Sequence, residues 1–205
     1  MVIIIAIYSY LIGCFQSSYL ISKLFLKEDI RSYGNGNAGA SNMTVSFGWK
    51  FGAIVGFIDI LKGAIAVVLT AIIFKSNQNI YTLKYISGFF VIIGHNYPFF
   101  MSFKGGKGTA SLIGMILAIS PFHGIIMILA FVLTSIVTNY IALGTISLVA
   151  IFAAYTFYTG NMQSFTIASA IGLLSIYKHR NNIIKIINQE ETKVRNTIKK
   201  RSNND

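Results

Sequence analysis

Two glycine-rich stretches carry residue types suited to holding a phosphate. In Lys104-Gly-Gly-Lys-Gly-Thr109, two ammonium groups sit among three glycines, directly before an apolar run that begins near Ala110. Glycines let a backbone approach an anion closely, and a helix starting at Ala110 aims the positive end of its dipole at the same spot. This is not a Walker A loop: Gly108 follows Lys107 where that motif needs Ser or Thr, and no earlier glycine has the required spacing. The plainer alternative is that Lys104 and Lys107 only enforce topology. The other stretch reads Arg31-Ser-Tyr-Gly-Asn-Gly-Asn-Ala-Gly-Ala-Ser-Asn42. Its glycines permit tight turns, while Asn35, Asn37, Ser41 and Asn42 supply donors and acceptors without net charge. Such a loop can present backbone N–H groups as an anion-binding nest; otherwise it is a flexible connector.

A third group lies near the carboxyl end, in His179-Arg-Asn-Asn-Ile-Ile-Lys185. If a helix continues through it, His179 and Asn182 fall at i, i+3 on one face. There they can bind a phosphate or an acyl oxygen. Asp59 and Lys62 share the same spacing inside an apolar run. Charges in hydrocarbon are costly, so this pair either lines a site or forms a structural ion pair. His95 stands at the end of the next apolar run, whereas His123 follows Pro121 and suggests no chemistry. No histidine is followed five residues later by aspartate, and no Gly-x-Ser-x-Gly elbow occurs. With three histidines, one cysteine and six carboxylates, no metal site and no cofactor is expected.

What positions these groups is a membrane. Of 205 residues, 54% are hydrophobic and 11% charged, where a soluble domain has about 25% charged; mean hydropathy is +0.65. The excess of 17 Lys and Arg over 6 Asp and Glu therefore reports topology before any affinity for nucleic acid, which is not an expected partner. Cys14 lies in an apolar run and reads as packing. A spanning helix needs about 20 apolar residues, which divides the chain into runs at 2–25, 51–74, 82–97, 110–120 and 162–177, plus a long run, 121–158, to be split near 138–144. The first run lacks the positive start of a cleavable signal peptide. The expected fold is an all-α integral membrane protein with seven transmembrane helices. With the N-terminus outside and the C-terminus cytoplasmic, 14 of the 17 basic residues fall inside, and all three motif segments face the cytoplasm. Residues 1–192 are expected to form one membrane domain and 193–205 a flexible basic cytoplasmic tail.

The segments Gly34-Asn-Gly-Asn-Ala-Gly-Ala-Ser-Asn42, Asp59-Ile-Leu-Lys-Gly63, Gly94-His-Asn-Tyr-Pro-Phe-Phe-Met-Ser-Phe-Lys-Gly-Gly-Lys-Gly108 and His179-Arg-Asn-Asn-Ile, in this order, resemble the bacterial acyl-phosphate:glycerol-3-phosphate acyltransferase family. The resemblance covers nearly the whole chain. It implies transfer of a fatty acyl group from acyl phosphate to the 1-hydroxyl of glycerol 3-phosphate, giving lysophosphatidic acid and phosphate in phospholipid synthesis at a bacterial plasma membrane. It further implies catalytic roles for His179, Asn182 and Lys104, and substrate binding by Asn35, Asn37, Asn42, Lys62, His95, Gly105, Gly106 and Lys107. The partners are then glycerol 3-phosphate, acyl phosphate and membrane lipid. The chain departs from the family pattern where Asn35 replaces a usual serine, Val45 a usual arginine regarded as a phosphate ligand, Lys185 an arginine and Gln189 a glycine. Those departures leave a weakly active or non-catalytic membrane scaffold as the alternative; a transporter using Asp59 and Lys62 as its route fits the one-sided motifs less well.

Overall fold

The computed structural model describes residues 1–195; the end of the expected basic tail, from 196 onward, lies outside them. Every regular element among the described residues is helical. The chain divides into two compact units, the first ending at Pro121 and the second beginning at Phe122.

The first unit contains α1 (Val2–Cys14), α2 (Ser17–Phe25), α3 (Ala40–Phe47), α4 (Trp49–Ile73), α5 (Ile80–Asn96) and α6 (Thr109–Ile119). Within it α1 packs on α5, and α4 packs on α6, α5 and α3. The backbones come close at small residues. A Cβ on Gly63 of α4 would overlap the Ser111 carbonyl oxygen of α6, and one on Gly114 of α6 would overlap the Ile60 carbonyl oxygen of α4. Reciprocal glycine contacts of this kind suit helices in lipid, where close packing replaces the hydrophobic drive. The second unit contains α7 (Pro121–Thr138, entering from the boundary), α8 (Ile141–Tyr158) and α9 (Met162–Ile187), with α8 packed along α9.

The distribution of side chains is that of a protein in a bilayer. Ser9, Asp59, Lys62, Thr70, Ser87 and Ser111 are buried, whereas Ile3, Ile4, Phe57, Ile72, Leu129 and Val137 are exposed. Among the described residues, four segments are long and apolar enough to cross a membrane: Val2–Phe25, Trp49–Ile73, Pro121–Thr138 and Ile141–Tyr158. The split of the long apolar run falls at Asn139, which adopts the left-handed conformation between α7 and α8.

Three features differ from the sequence reading. The first apolar run is interrupted at Phe15 and Gln16, between α1 and α2. The polar stretch 27–50 contains a helix, α3, because Ala40, Met43 and Phe47 face a cluster that includes Ile30, Ala38, Val55 and Met101. The last helix runs ten residues beyond 177, to Ile187, and so places His179 and Asn182 one turn apart on a buried face.

Candidate active site

In the first unit the two glycine-rich segments are tied together. The Ala38 amide donates to the Gly105 carbonyl at 3.3 Å, and Arg31 Nη1 donates to the Met101 carbonyl at 3.2 Å. Arg31 is aimed by Asp29, which accepts from its Nε at 3.1 Å and its Nη2 at 2.8 Å. The paired guanidinium holds the Asp29 carboxyl below its usual range, and the carboxylate raises Arg31 further.

Asn42 shapes the first segment from within. Its amide nitrogen lies 2.9–3.1 Å from the carbonyl oxygens of Ile30, Tyr33 and Asn37, while its Oδ1 accepts the Asn35 amide at 2.8 Å. The side chain is fully buried, so it fixes where Asn35 and Asn37 stand. Asn35 and Asn37 are themselves half-buried. Val45, on α3, is exposed.

The second segment folds onto the end of α5. The Gly105 amide donates to the Asn96 carbonyl at 3.2 Å, and the Gly106 amide to the His95 carbonyl at 3.0 Å. These two amides are thus engaged by carbonyls, and the glycines serve close packing: a Cβ on Gly105 would overlap the His95 carbonyl oxygen, and one on Gly106 would overlap His95 Nε2. Lys104 is exposed and Lys107 half-buried. Gly108 takes φ +86° as the residue before α6, so the positive end of α6 follows Lys107 at once.

Beneath this segment lies a buried polar network that the sequence indicated only in part. Lys62 Nζ lies 2.9 Å from Asp59 Oδ1, 2.8 Å from His95 Nδ1 and 2.7 Å from the Phe15 carbonyl oxygen. Ser17 Oγ donates to Asp59 Oδ1 at 3.0 Å, and Gln16 Nε2 to the His95 carbonyl at 2.9 Å. The network accounts for the break in the first apolar run, because the carbonyl freed at Phe15 is satisfied by Lys62. Ser17 and Gln16 were not legible as site residues; a Gln-Ser-Ser run inside an apolar span was the available signal.

In the second unit, His179 Nδ1 lies 2.9 Å from the Ser175 carbonyl oxygen, one turn back along α9. Asn182 Nδ2 donates to Glu191 Oε1 at 2.7 Å. That reach depends on the turn closing α9, where the amides of Gln189 and Glu190 donate to the Ile186 and Lys185 carbonyls with Gln189 at φ +62°. This is the Schellman arrangement, and it returns Glu191 to the helix. Among the described residues no cluster of three or more His, Cys, Asp or Glu groups could hold a metal ion.

The family described as glycerol-3-phosphate acyltransferase matches residues 3–189. Glycerol-3-phosphate acyltransferase 1 of Oceanobacillus iheyensis is 40% identical over 206 residues, covering 98% of each chain. The glycerol-3-phosphate acyltransferase of Staphylococcus saprophyticus is 37% identical, covering 95% of this chain and 98% of its own. Among solved structures, PlsY, an integral membrane glycerol 3-phosphate acyltransferase, superposes in its glycerol 3-phosphate form with a TM-score of 0.85 at 32% identity, covering 94% of each chain. Its lysophosphatidic acid form superposes with a TM-score of 0.83 at 30% identity. With sequence and fold agreeing over nearly its whole length, the chain belongs to the glycerol-3-phosphate acyltransferase family.

Proposed function

We propose that this protein is an integral membrane acyltransferase that acylates the 1-hydroxyl of glycerol 3-phosphate from acyl phosphate, releasing lysophosphatidic acid and inorganic phosphate. The observation that carries the reading is the Lys104–Lys107 glycine segment, bonded to the asparagine-rich segment through Ala38 and Gly105 and set at the amino terminus of α6. That combination of ammonium groups, helix dipole and close backbone suits a phosphorylated polar substrate. An acyl phosphate is already activated, so orientation and charge neutralisation supply most of the rate enhancement.

In the reaction the substrate hydroxyl oxygen attacks the acyl carbonyl carbon, the mixed-anhydride C–O bond breaks, and phosphate leaves. The hydroxyl proton passes to a phosphate oxygen, which leaves no requirement for a strong side-chain base. We assign Lys104, His179 and Asn182 to catalysis, and Asn35, Asn37, Gly105, Gly106 and Lys107 to substrate binding, with Asn42 acting through the shape of its loop and Lys62 and His95 through the buried network beneath the glycine segment. Residues 1–192 act as one functional domain, since the family match spans both compact units. The seven-span topology, with N-terminus outside and C-terminus and site on the cytoplasmic side, is supported by the basic-residue bias.

Purified protein in lipid nanodiscs, given palmitoyl phosphate and glycerol 3-phosphate, is expected to form lysophosphatidic acid and phosphate in equal amounts. Turnover with acyl-coenzyme A but not with acyl phosphate overturns the donor assignment. No turnover with either favours the scaffold. Reporters active only in the cytoplasm, fused at either terminus, test the topology: activity from the amino-terminal fusion refutes it.

A further inference from the structure

The Asp59–Lys62 pair is buried deeper than a substrate-binding lysine needs to be. Both side chains are nearly inaccessible, at 2% and 5% exposure. An ammonium has three N–H donors, and Lys62 has three acceptors around it: Asp59 Oδ1, the Phe15 carbonyl oxygen and His95 Nδ1. A protonated Lys62 therefore donates to His95 Nδ1, which must carry a lone pair. An Nδ1–H would set donor against donor at 2.8 Å. The ring proton then resides on Nε2, the atom that a Cβ on Gly106 would overlap. The same histidine's carbonyl accepts from the Gly106 amide at 3.0 Å and from Gln16 Nε2 at 2.9 Å. Ring and backbone of His95 thus both support the glycine segment, and Asp59, itself bonded by Ser17, is the counter-ion that keeps Lys62 a donor.

We infer that Asp59 is a positioning residue: through Lys62 it fixes His95 as the neutral imidazole protonated at Nε2, and that imidazole is the floor holding Gly105 and Gly106 in place for the substrate phosphate. This deepens the proposed function and rests on the phosphate-binding reading of the glycine segment. It separates the two layers of charge. Lys62 and Asp59 cancel each other within the buried network, while the attraction for phosphate comes from Lys104, Lys107 and the α6 dipole.

The test combines a spectroscopic and a kinetic readout on the full chain in lipid nanodiscs. Imidazole ¹⁵N shifts of histidine-labelled protein report the tautomer, and the signal of His95 is identified among the three histidines by its loss in His95→Gln. The wild type is expected to show a neutral ring protonated at Nε2 through neutral pH. Asp59→Asn leaves Lys62 without its counter-ion and is at risk of misfolding, so the double variant D59N/K62M is measured beside it, because removing both members of a buried pair is far milder than removing one. In the double variant the Nδ1 donor is gone, and His95 is expected to become a mixture of tautomers. Its kcat/KM for glycerol 3-phosphate is expected to fall on the order of tenfold or more as the loop loses its fixed floor. A doubly protonated or Nδ1-protonated His95 in the wild type overturns the inference, as does an unchanged tautomer in D59N/K62M. An inactive wild type would count against the acyltransferase reading alone, because the ¹⁵N shifts decide the tautomer without turnover.

Discussion

The Ala38 amide donates to the Gly105 carbonyl at 3.3 Å, so two glycine-rich segments 67 positions apart in the chain are held as one surface. Arg31 reinforces that tie through the Met101 carbonyl. Arg31→Ala removes the charged hydrogen bond to the Met101 carbonyl together with the partly exposed pair with Asp29, which contribute roughly 1 kcal/mol after discounting for solvent. The expected outcome is a KM for glycerol 3-phosphate raised a few-fold with kcat nearly unchanged. An unchanged KM in steady-state kinetics would show that the segments keep their alignment without Arg31.

Acid should release the same tie. The Asp29 carboxyl is held below its usual range, chiefly by its bonds to the Arg31 side chain, so its folded pKa lies under the unfolded value of about 3.9. The stability this confers is fully present above that unfolded value and is lost as pH falls through the depressed folded value. Thermal stability measured against pH should therefore lose an acid-side component in Asp29→Asn, while the two proteins respond alike to changes near neutrality. Identical acid limbs would mean that the Asp29–Arg31 pair adds nothing to stability.

Gly105 and Gly106 should fail differently when changed to alanine. At Gly105 the added Cβ meets a backbone oxygen, that of His95, and Pro98 Cδ at 2.6 Å; at Gly106 it meets the His95 ring, which can yield only by giving up its Lys62 contact. Overpacking of this kind costs about 1–3 kcal/mol, and the immovable neighbour belongs at the upper end. Gly105→Ala is expected to lower the unfolding temperature clearly, whereas Gly106→Ala, whose overlap falls on a side chain and not on backbone, should lose less stability and raise the KM for glycerol 3-phosphate. A Gly106→Ala protein with normal kinetics would remove that segment from the substrate site.

At the end of α9 the chain uses Gln189 where the family pattern has glycine, and the residue adopts φ +62°. A left-handed conformation costs a side-chain-bearing residue about 1–2 kcal/mol, partly offset by the greater unfolded-state entropy of glycine. Gln189→Gly should accordingly stabilise the protein by roughly 0.5–1 kcal/mol, read as a higher unfolding temperature with unchanged kcat. A loss of stability would mean that the glutamine side chain contributes a contact larger than the strain it introduces.

Much of this arrangement was readable from residue types. Apolar runs measured against membrane thickness located the long helices, the second motif predicted the glycine segment before α6, and the one-turn pairing of His179 with Asn182 followed only on condition that the last helix ran on past 177. What escaped was set by tertiary contacts. The interruption at Phe15 and Gln16 depends on Lys62, which is 47 positions from Phe15, and no local propensity in an apolar run announces it. The bonds of the Asn42 amide to the carbonyls of Ile30, Tyr33 and Asn37 were likewise not legible, because asparagine offers the same atoms to a phosphate and to a backbone. The helix in the polar stretch 27–50 was hidden because its apolar face is only three residues wide and is buried against the cluster around Ile30 and Met101.

The departure at Val45 can be tested by reversal. The side chain is exposed on α3, so an arginine fits there without displacing the cluster of Ile30, Ala38, Met43, Val55 and Met101 beneath that helix. If the position serves a phosphate, the natural chain has one fewer bidentate donor than the family pattern provides, and Lys104 or Lys107, as point charges, cannot reproduce the planar fork. Val45→Arg, alone or with Asn35→Ser, is then expected to raise kcat/KM for glycerol 3-phosphate by up to about tenfold, the equivalent of about 1.4 kcal/mol. A wild type already at full activity whose turnover falls on Val45→Arg would mean that the site has been rebuilt around Asn35 and the two lysines. Because Asn35 is fixed through its amide by Asn42 Oδ1, that outcome would also make Asn42→Ala the more damaging change at this loop, which the same assay measures.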